Sequence, residues 1–214
     1  IVDVAGNLRR VIDPSPGGIT RYDYDSRGKL NRVQDAIGAV STGVYDVRGF
    51  RTRWSDADAG AWTFTRNSLG EGVGWTDAKG RSFSAAYDTL GRRVSRTESE
   101  GTSTWTWGSS ATAHNIGRLQ SKAGPGYSES LAYDGLGRIS TRTIKTDKSY
   151  QYDYTYNSIG AIDTLTYPTS PVPTGQAGDR LRLRYSYSFG TPSQIDDITP
   201  ATSRTLWKLN VVSD

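Results

Sequence analysis

The residues that could perform acid–base or nucleophilic chemistry are few in this 214-residue chain. It has one histidine, His114, and no cysteine, which excludes a disulfide framework, a thiolate zinc site and a cysteine nucleophile. A serine nucleophile needs a histidine base in most known designs, and no Gly-x-Ser-x-Gly elbow lies near His114. The adjacent carboxylates of Asp196 and Asp197 would point to opposite sides of an extended segment, so they do not share a substrate. We therefore expect no enzyme and no metal ion or other cofactor.

Charge and hydropathy exclude further classes of protein. The chain carries 26 Lys and Arg against 22 Asp and Glu, but the cations occur singly or in pairs, so a basic stripe for nucleic acid is not indicated. The glycines form no Gly-x-Gly-x-x-Gly phosphate loop between a strand and a helix. No segment approaches the roughly 18 consecutive apolar residues of a membrane span. We expect no nucleic-acid partner and no membrane span, but an aromatic content of 11% indicates a folded chain.

The chain repeats a short motif, Tyr-Asp-x-x-Gly. Its glycines, together with those of weaker copies, fall at positions 6, 28, 49, 70, 91, 117, 137 and 160, so consecutive copies are 20 to 26 residues apart. Such a regular period indicates a repeat architecture. The motif residues that we predict to build the structure are Tyr24, Asp25 and Gly28; Tyr45, Asp46 and Gly49; Tyr87, Asp88 and Gly91; Tyr133, Asp134 and Gly137; and Tyr156, Asn157 and Gly160.

Each motif predicts a chain reversal at the end of a strand. The Asp or Asn side chain can accept hydrogen bonds from backbone N–H groups just ahead, and the glycine can adopt the positive φ of a tight turn. Tyrosine favours the preceding strand, where its hydroxyl can reach a polar partner. A second, looser turn follows in most copies, for example at Asp35–Gly38 and Asp77–Gly80, which leaves two strands of about six to eight residues per repeat.

These patterns predict an all-β fold in which antiparallel, hairpin-like strand pairs stack into a continuous curved or spiralling sheet with very little helix. Residues 1–167 would form about eight repeats. Residues 168–214 would form a proline-rich loop, which begins near Tyr167, and then degenerate strands of the same sheet, the last at Thr205–Val211. The second and fifth residues after the glycine are both often apolar, as at Leu30 and Val33, although a regular strand puts them on opposite faces. Either a bulge follows the turn or both faces are partly covered.

The motif Tyr-Asp-x-x-Gly-Arg-Leu/Ile at about 21-residue spacing, clearest at Tyr133–Ile139, resembles the YD-repeat or Rhs (rearrangement hotspot) family over about residues 1–165. The resemblance implies a sheet that spirals into a hollow shell around a variable toxin. It therefore implies a structural scaffold segment within a larger bacterial protein, secreted or at the cell surface. Its partner would be the remainder of the same polypeptide or an enclosed toxin or effector domain. An Asp-Pro-x-Gly-Leu-like element, which accompanies self-cleavage in this family, is not found, so autoproteolysis is not assigned.

Several residue sets have a second interpretation. The tryptophans could bind a glycan as a carbohydrate or cell-surface module, or they could pack a sheet without an aliphatic core, which the one-repeat spacing of Trp54 and Trp75 favours. We expect His114, in the Asp position of the longest repeat, to be a tolerated turn residue. An excised array would also expose strand edges that permit self-association. The tryptophans are Trp54, Trp62, Trp75, Trp105, Trp107 and Trp207. The cations after the turn glycine, which could form a basic ladder or pair with aspartates of neighbouring turns, are Lys29, Arg92, Arg118 and Arg138.

Overall fold

The computed structural model describes residues 1–14, 17–169, 180–199 and 203–209. These residues form eighteen β-strands and no helix. The strand pairs within residues 1–102, and those within residues 103–214, are antiparallel. The predicted all-β class with antiparallel strand pairs is therefore confirmed. No helix that could cross a membrane occurs in the described part of the chain. The chain divides into two compact units, residues 1–102 and residues 103–214, and each is described by itself.

The first unit is an antiparallel meander in which each strand pairs with the next along the chain. Its strands are β1 (Arg10–Ile12), β2 (Ile19–Tyr24), β3 (Leu30–Gln34), β4 (Val40–Tyr45), β5 (Arg51–Asp56), β6 (Gly60–Arg66), β7 (Gly72–Thr76), β8 (Ser82–Tyr87) and β9 (Arg93–Glu98). An isolated bridge between Val2 and Leu8 precedes β1.

The second unit follows the same plan. Its strands are β10 (Gly101–Trp107, of which residues 103–107 belong to this unit), β11 (Leu119–Gly124), β12 (Tyr127–Tyr133), β13 (Ile139–Lys145), β14 (Ser149–Tyr156), β15 (Ile162–Thr169), β16 (Arg180–Ser188), β17 (Thr191–Asp197) and β18 (Arg204–Lys208).

The turn at Asp25 shows how the motif reverses the chain. Oδ1 of Asp25 accepts hydrogen bonds from the N–H groups of Arg27 and Lys29 at 2.9 and 2.8 Å. The N–H of Gly28, with φ of 74°, donates to the carbonyl of Asp25, and the N–H of Asp25 donates to the carbonyl of Lys29. The same four hydrogen bonds recur at Asp3, Asp35, Asp46, Asn67, Asp77, Asp88, Asp134 and Asn157. The turns at Asp35 and Asp77 are thus as tight as the others.

A β-bulge follows each motif turn from Asp25 onwards, and we name these turns, which include those at Asn67, Asn115 and Gly190, the Tyr-Asp turns. In the β2–β3 pair Tyr24 lies opposite Leu30 but Asp23 lies opposite Arg32, so Asn31 is an extra residue. The extra residue reverses the alternation, and Leu30 and Val33 therefore share the face of Tyr24. The sequence left open whether a bulge follows the turn or both faces are partly covered, and the structure shows the bulge. The corresponding register shifts occur in the pairs β4–β5, β6–β7, β8–β9, β10–β11, β12–β13, β14–β15 and β16–β17.

The two faces of the sheet differ in composition. Through the cross-strand pairs, one face of the first unit carries Tyr22, Tyr24, Tyr45, Trp54, Trp62, Phe64, Trp75, Phe83 and Tyr87, and we name it and its equivalent in the second unit the aromatic face. The other face, which we name the serine–threonine face, carries serine and threonine more often than any other residue type, for example Thr63 opposite Thr76. Trp75 and Phe83 stack with centroids 5.3 Å apart. Among the described residues only two apolar side chains, those of Ala85 and Leu183, are buried, so the packing lies across the face rather than in a deep core.

The chain near Pro168 differs from the predicted loop. Strand β15 continues to Thr169, and its pairing with β16 shifts register between Thr166 and Thr169. Proline has no backbone N–H to donate to a neighbouring strand, and within sheets it is tolerated at irregularities such as this one. Residues 170–176 of the predicted loop, and residues 210–211 of the predicted last strand, lie outside the described residues. The predicted boundary between residues 167 and 168 stays a prediction.

Replacement of Gly28 by alanine tests the positive-φ turn. A Cβ at Gly28 would meet no atom within 4 Å, so the cost comes from backbone strain alone. We expect Gly28→Ala to destabilise the protein by about 1–2 kcal/mol in denaturant unfolding. The matched control is Gly72→Ala in β7, where φ is not positive and the nearest atom, Nη1 of Arg66, is 4.0 Å away. Equal stabilities for the two variants would contradict the turn assignment.

Candidate functional site: tyrosine turns on an amphipathic sheet

The motif tyrosines connect each hairpin to the preceding one. The hydroxyl of Tyr45 donates to the carbonyl of Leu30 at 2.8 Å, and that carbonyl belongs to the residue just before the bulge at Asn31. A bulge interrupts ladder pairing, and the tyrosine supplies a donor beside it. We name this hydrogen bond the tyrosine latch. The latches are Tyr24 to Leu8, Tyr45 to Leu30, Tyr87 to Gly72, Tyr133 to Leu119, Tyr156 to Ile139 and Tyr187 to Ile162, with distances of 2.5 to 3.1 Å.

The latch of Tyr187 is one that the sequence interpretation missed. It precedes the turn at Phe189–Gly190, which has no aspartate and lies outside the predicted array. Its acceptor, Ile162, still lies two residues after the glycine of the preceding motif. The signal that could have found it is the shorter spacing Tyr-x-x-Gly at Tyr187–Gly190.

Cations after the turn glycine cover the motif tyrosines. The guanidinium of Arg138 lies 4.3 Å from the ring centroid of Tyr156, and that of Arg118 lies 5.6 Å from Tyr133. Arg138 also pairs with Asp134 at 2.7 Å, within its own turn. Arg92 pairs with Asp88 in the same way. The prediction that these cations pair with aspartates of neighbouring turns is therefore wrong for Arg138, because a tightly closed turn brings its own fifth residue back to the carboxylate.

These turns hold their carboxylates in the charged form. The side chain of Arg92 lowers the pKa of Asp88, and that of Arg138 lowers the pKa of Asp134. At Asp25 the first cause is the backbone N–H of Lys29, which lowers the pKa of the carboxyl. A carboxylate that accepts backbone N–H groups favours its ionised form, so the turn and its charge state stabilise each other.

Neighbouring Tyr-Asp turns of the first unit also contact each other directly. Arg27 donates from Nη1 to the carbonyl of Asp46 at 2.8 Å, and Arg48 donates to the carbonyls of Ser68 and Asn67 at 2.8 and 3.0 Å. These arginines occupy the position just before the glycine. The sequence interpretation did not assign them a role, because the contact depends on the distance between successive turns.

A buried charge cluster lies on the aromatic face of the second unit. The side chain of Glu129 is only 6% exposed and accepts from Nζ of Lys122 at 2.9 Å, from Nε of Arg142 at 2.8 Å and from the hydroxyl of Tyr127. Burial acts to raise its pKa, but the three donors outweigh burial and lower the pKa of Glu129 to about 2. Lys122 and Arg142 lie on the two strands that flank Glu129, so the cluster ties β11, β12 and β13 together. Sequence reasoning missed it because it depends on cross-strand register.

The residues considered for chemistry lie apart. His114 is exposed in the loop between β10 and β11, with φ of 52°. Asp196 accepts from Gln194 and Thr205, whereas Asp197 accepts from Thr199 and Arg204. Within the part of the chain that the structure describes, no cluster of three His, Asp or Glu side chains is arranged for a metal ion. Five of the tryptophans, Trp54, Trp62, Trp75, Trp105 and Trp107, are half-buried, and Trp207 is exposed.

The same fold occurs in solved structures of other proteins. No family model and no curated protein matches the chain. Among solved structures, TcdB2-TccC3 without its hypervariable C-terminal region matches with a TM-score of 0.73 at 18% identity, over 96% of this chain and 12% of that chain. The chain shares its fold with a part of TcdB2-TccC3. A second structure, TcdB2-TccC3-Cdc42, matches with a TM-score of 0.64 at 16% identity, over 99% of this chain and 14% of that chain. The resemblance drawn from the motif is thus confirmed at the level of the fold.

Removal of one latch hydroxyl tests the contribution of the tyrosines. We expect Tyr45→Phe to destabilise the protein by about 0.5–1.5 kcal/mol, because the carbonyl of Leu30 loses its donor. Tyr22→Phe is the matched control, since Tyr22 is half-buried on the same face and its hydroxyl makes no hydrogen bond within the described ranges. Denaturant unfolding of both variants measures the difference, and an equal loss in the two would show that the latch does not stabilise the sheet.

The cluster at Glu129 predicts a dependence of stability on pH. Its carboxyl has an ordinary pKa of 4.5 and a folded pKa of about 2, so its stabilisation is present above pH 4.5 and is lost as the pH falls towards 2. We expect Glu129→Gln to cost about 1–3 kcal/mol at pH 7, with Lys122 and Arg142 partly solvated. The difference from the wild-type protein should shrink between pH 4.5 and pH 2. Parallel curves of unfolding free energy against pH would exclude this role.

Proposed function

We propose that this chain is a segment of the wall of a β-shell, with no enzymatic activity of its own. The observation that carries the proposal is the fold shared with TcdB2-TccC3 over 96% of the chain. The chain spans about an eighth of the length of that protein, so it would be one part of a larger wall. We propose that the motif residues, from Tyr24 to Gly160, determine the repeat of this wall.

The repeat suits a wall because it needs no deep core. The latches and turns link each hairpin to the next, so the structure can extend by addition of repeats. Each bulge increases the local twist and bends its strand, and its regular recurrence would add a constant increment per repeat. The two faces differ in composition, which suits a sheet with different environments on its two sides.

The partner that we propose is an enclosed toxin or effector region, or the remainder of the same polypeptide. The location that we propose is outside the producing bacterial cell or at its surface. Both proposals rest on the motif resemblance and on the shared fold. A carbohydrate-binding function has less support, because five of the six tryptophans are half-buried and Trp75 is stacked on Phe83.

Cysteine labelling tests whether the sheet is a wall. The chain has no cysteine, so Arg51→Cys on the aromatic face and Thr63→Cys on the serine–threonine face each introduce a single thiol at an exposed position. In a longer protein that contains this sequence, we expect a maleimide attached to a bulky polymer to label only one of the two thiols. One face of a shell wall lies inside the shell, where a bulky reagent cannot reach it. In the isolated 214-residue chain both thiols should react. Equal labelling of both positions in the longer protein would contradict the proposal.

A further inference from the structure

One repeat of the first unit lacks a side chain that the other repeats place on the aromatic face. The position two residues after the motif glycine holds Leu8, Leu30, Arg51, Gly72, Arg93, Leu119, Ile139 and Ile162. Gly72 lies opposite Arg66 and, because Val73 is the extra residue of the bulge, on the face of Phe64 and Trp75. Apart from its neighbours in the chain, a Cβ at Gly72 would meet only Nη1 of Arg66 among the described residues, at 4.0 Å. The space above Gly72 is therefore open.

The missing side chain leaves a hollow of about 350 Å³ on the aromatic face, which we name the Gly72 hollow. Its aromatic lining consists of Trp62, Phe64, Trp75 and Tyr87. Two of these rings are held in place, since Trp75 stacks on Phe83 and the hydroxyl of Tyr87 donates to the carbonyl of Gly72 at 3.1 Å. Largely preformed aromatic walls of this kind suit a flat apolar ring.

Two arginines give the lining of the hollow a positive charge. Arg66 stands where other repeats have the motif tyrosine, and its Nη1 donates to the carbonyl of Gly70 at 2.9 Å. Its guanidinium also lies 5.1 Å from the ring centroid of Phe50, and neither contact neutralises its charge. The second arginine is Arg93, whose guanidinium lies 5.9 Å from the ring centroid of Tyr87. Guanidinium groups bind carboxylates with a matching planar geometry.

Carboxylates do not balance this charge within the lining. Glu71 is next to the hollow in sequence, but its carboxylate accepts from Nδ2 of Asn67 at 2.6 Å, within the turn. Among the described residues that line the hollow, none is acidic. A second hollow with aromatic lining, in the second unit, differs because its cation, Lys122, is paired with the buried Glu129. The Gly72 hollow thus combines aromatic walls with a net positive lining.

We propose that the Gly72 hollow binds a small aromatic carboxylate. The ring occupies the space that a leucine takes in other repeats, against Trp62 and Trp75, and the carboxylate lies beside Arg66 and Arg93. The volume is near the lower end of the roughly 300–1,000 Å³ of small-molecule sites, which limits the ligand to one or two fused rings. The site is independent of the proposed wall, because it is built within three adjacent hairpins of the first unit.

Equilibrium dialysis of 2-naphthoate against the 214-residue chain tests the site. We expect saturable binding, and binding of the neutral isostere 2-naphthamide that is weaker by about three- to ten-fold, because the arginines attract only the carboxylate. Gly72→Leu should weaken naphthoate binding by at least about ten-fold, since the leucine fills the space of the ring. The matched control is Ser84→Leu, which adds the same side chain at an exposed position of the serine–threonine face and should leave binding unchanged.

A second variant separates charge from shape. Arg66→Gln keeps a donor that can reach the carbonyl of Gly70 but removes the charge, so we expect naphthoate binding to weaken by about two- to five-fold and the preference over naphthamide to shrink. The melting temperature of each variant shows whether it folds. Where Gly72→Leu does not fold, Arg66→Gln and the comparison with naphthamide decide.

Three outcomes would overturn the proposal. They are the absence of saturable binding at millimolar 2-naphthoate, equal affinities for 2-naphthoate and 2-naphthamide, and naphthoate binding that a folded Gly72→Leu variant retains in full. Each of these results leaves the labelling test of the wall unaffected, since that test follows the accessibility of two thiols and not a ligand.

Discussion

The structure depends on a turn that is followed by a β-bulge. In this combination the hydrogen-bonding groups of the backbone cannot all be paired with other backbone groups. The aspartate or asparagine closes the turn, the glycine takes the positive φ, and the extra residue that follows disrupts the ladder. The tyrosine of the next hairpin then supplies a donor to the carbonyl beside that residue. Where a tyrosine is present, the motif is thus one unit distributed over two hairpins, because its latch uses the carbonyl beside the bulge of the preceding hairpin.

This local chemistry explains how much could be predicted from the sequence. Turns at Asp25 and Asp134 follow from side-chain oxygens and glycine φ, which involve residues within five positions of each other. The strands follow from the period-two alternation of side chains in the segments between these turns. The bulge could be stated only as one of two alternatives, because Leu30 and Val33 show an odd apolar spacing but do not show which residue is extra. Register decides that, and register is a property of the pair of strands.

Contacts between strands account for what the sequence did not reveal. The cluster around Glu129 requires Lys122 to lie opposite it on one neighbouring strand and Arg142 to lie diagonally from it on the other. The pairing of Arg138 with Asp134 within one turn, rather than with a neighbour, follows from the closed geometry of that turn. Such side chains are ordinary surface residues in the sequence, since they become partners only after each strand has been aligned to within one residue.

The scarcity of buried apolar side chains links the stability of the sheet to its proposed role. A sheet without a deep core is held by latches, turn contacts and stacked rings such as Trp75 on Phe83, each of which joins adjacent hairpins only. Stability then accumulates with the number of repeats.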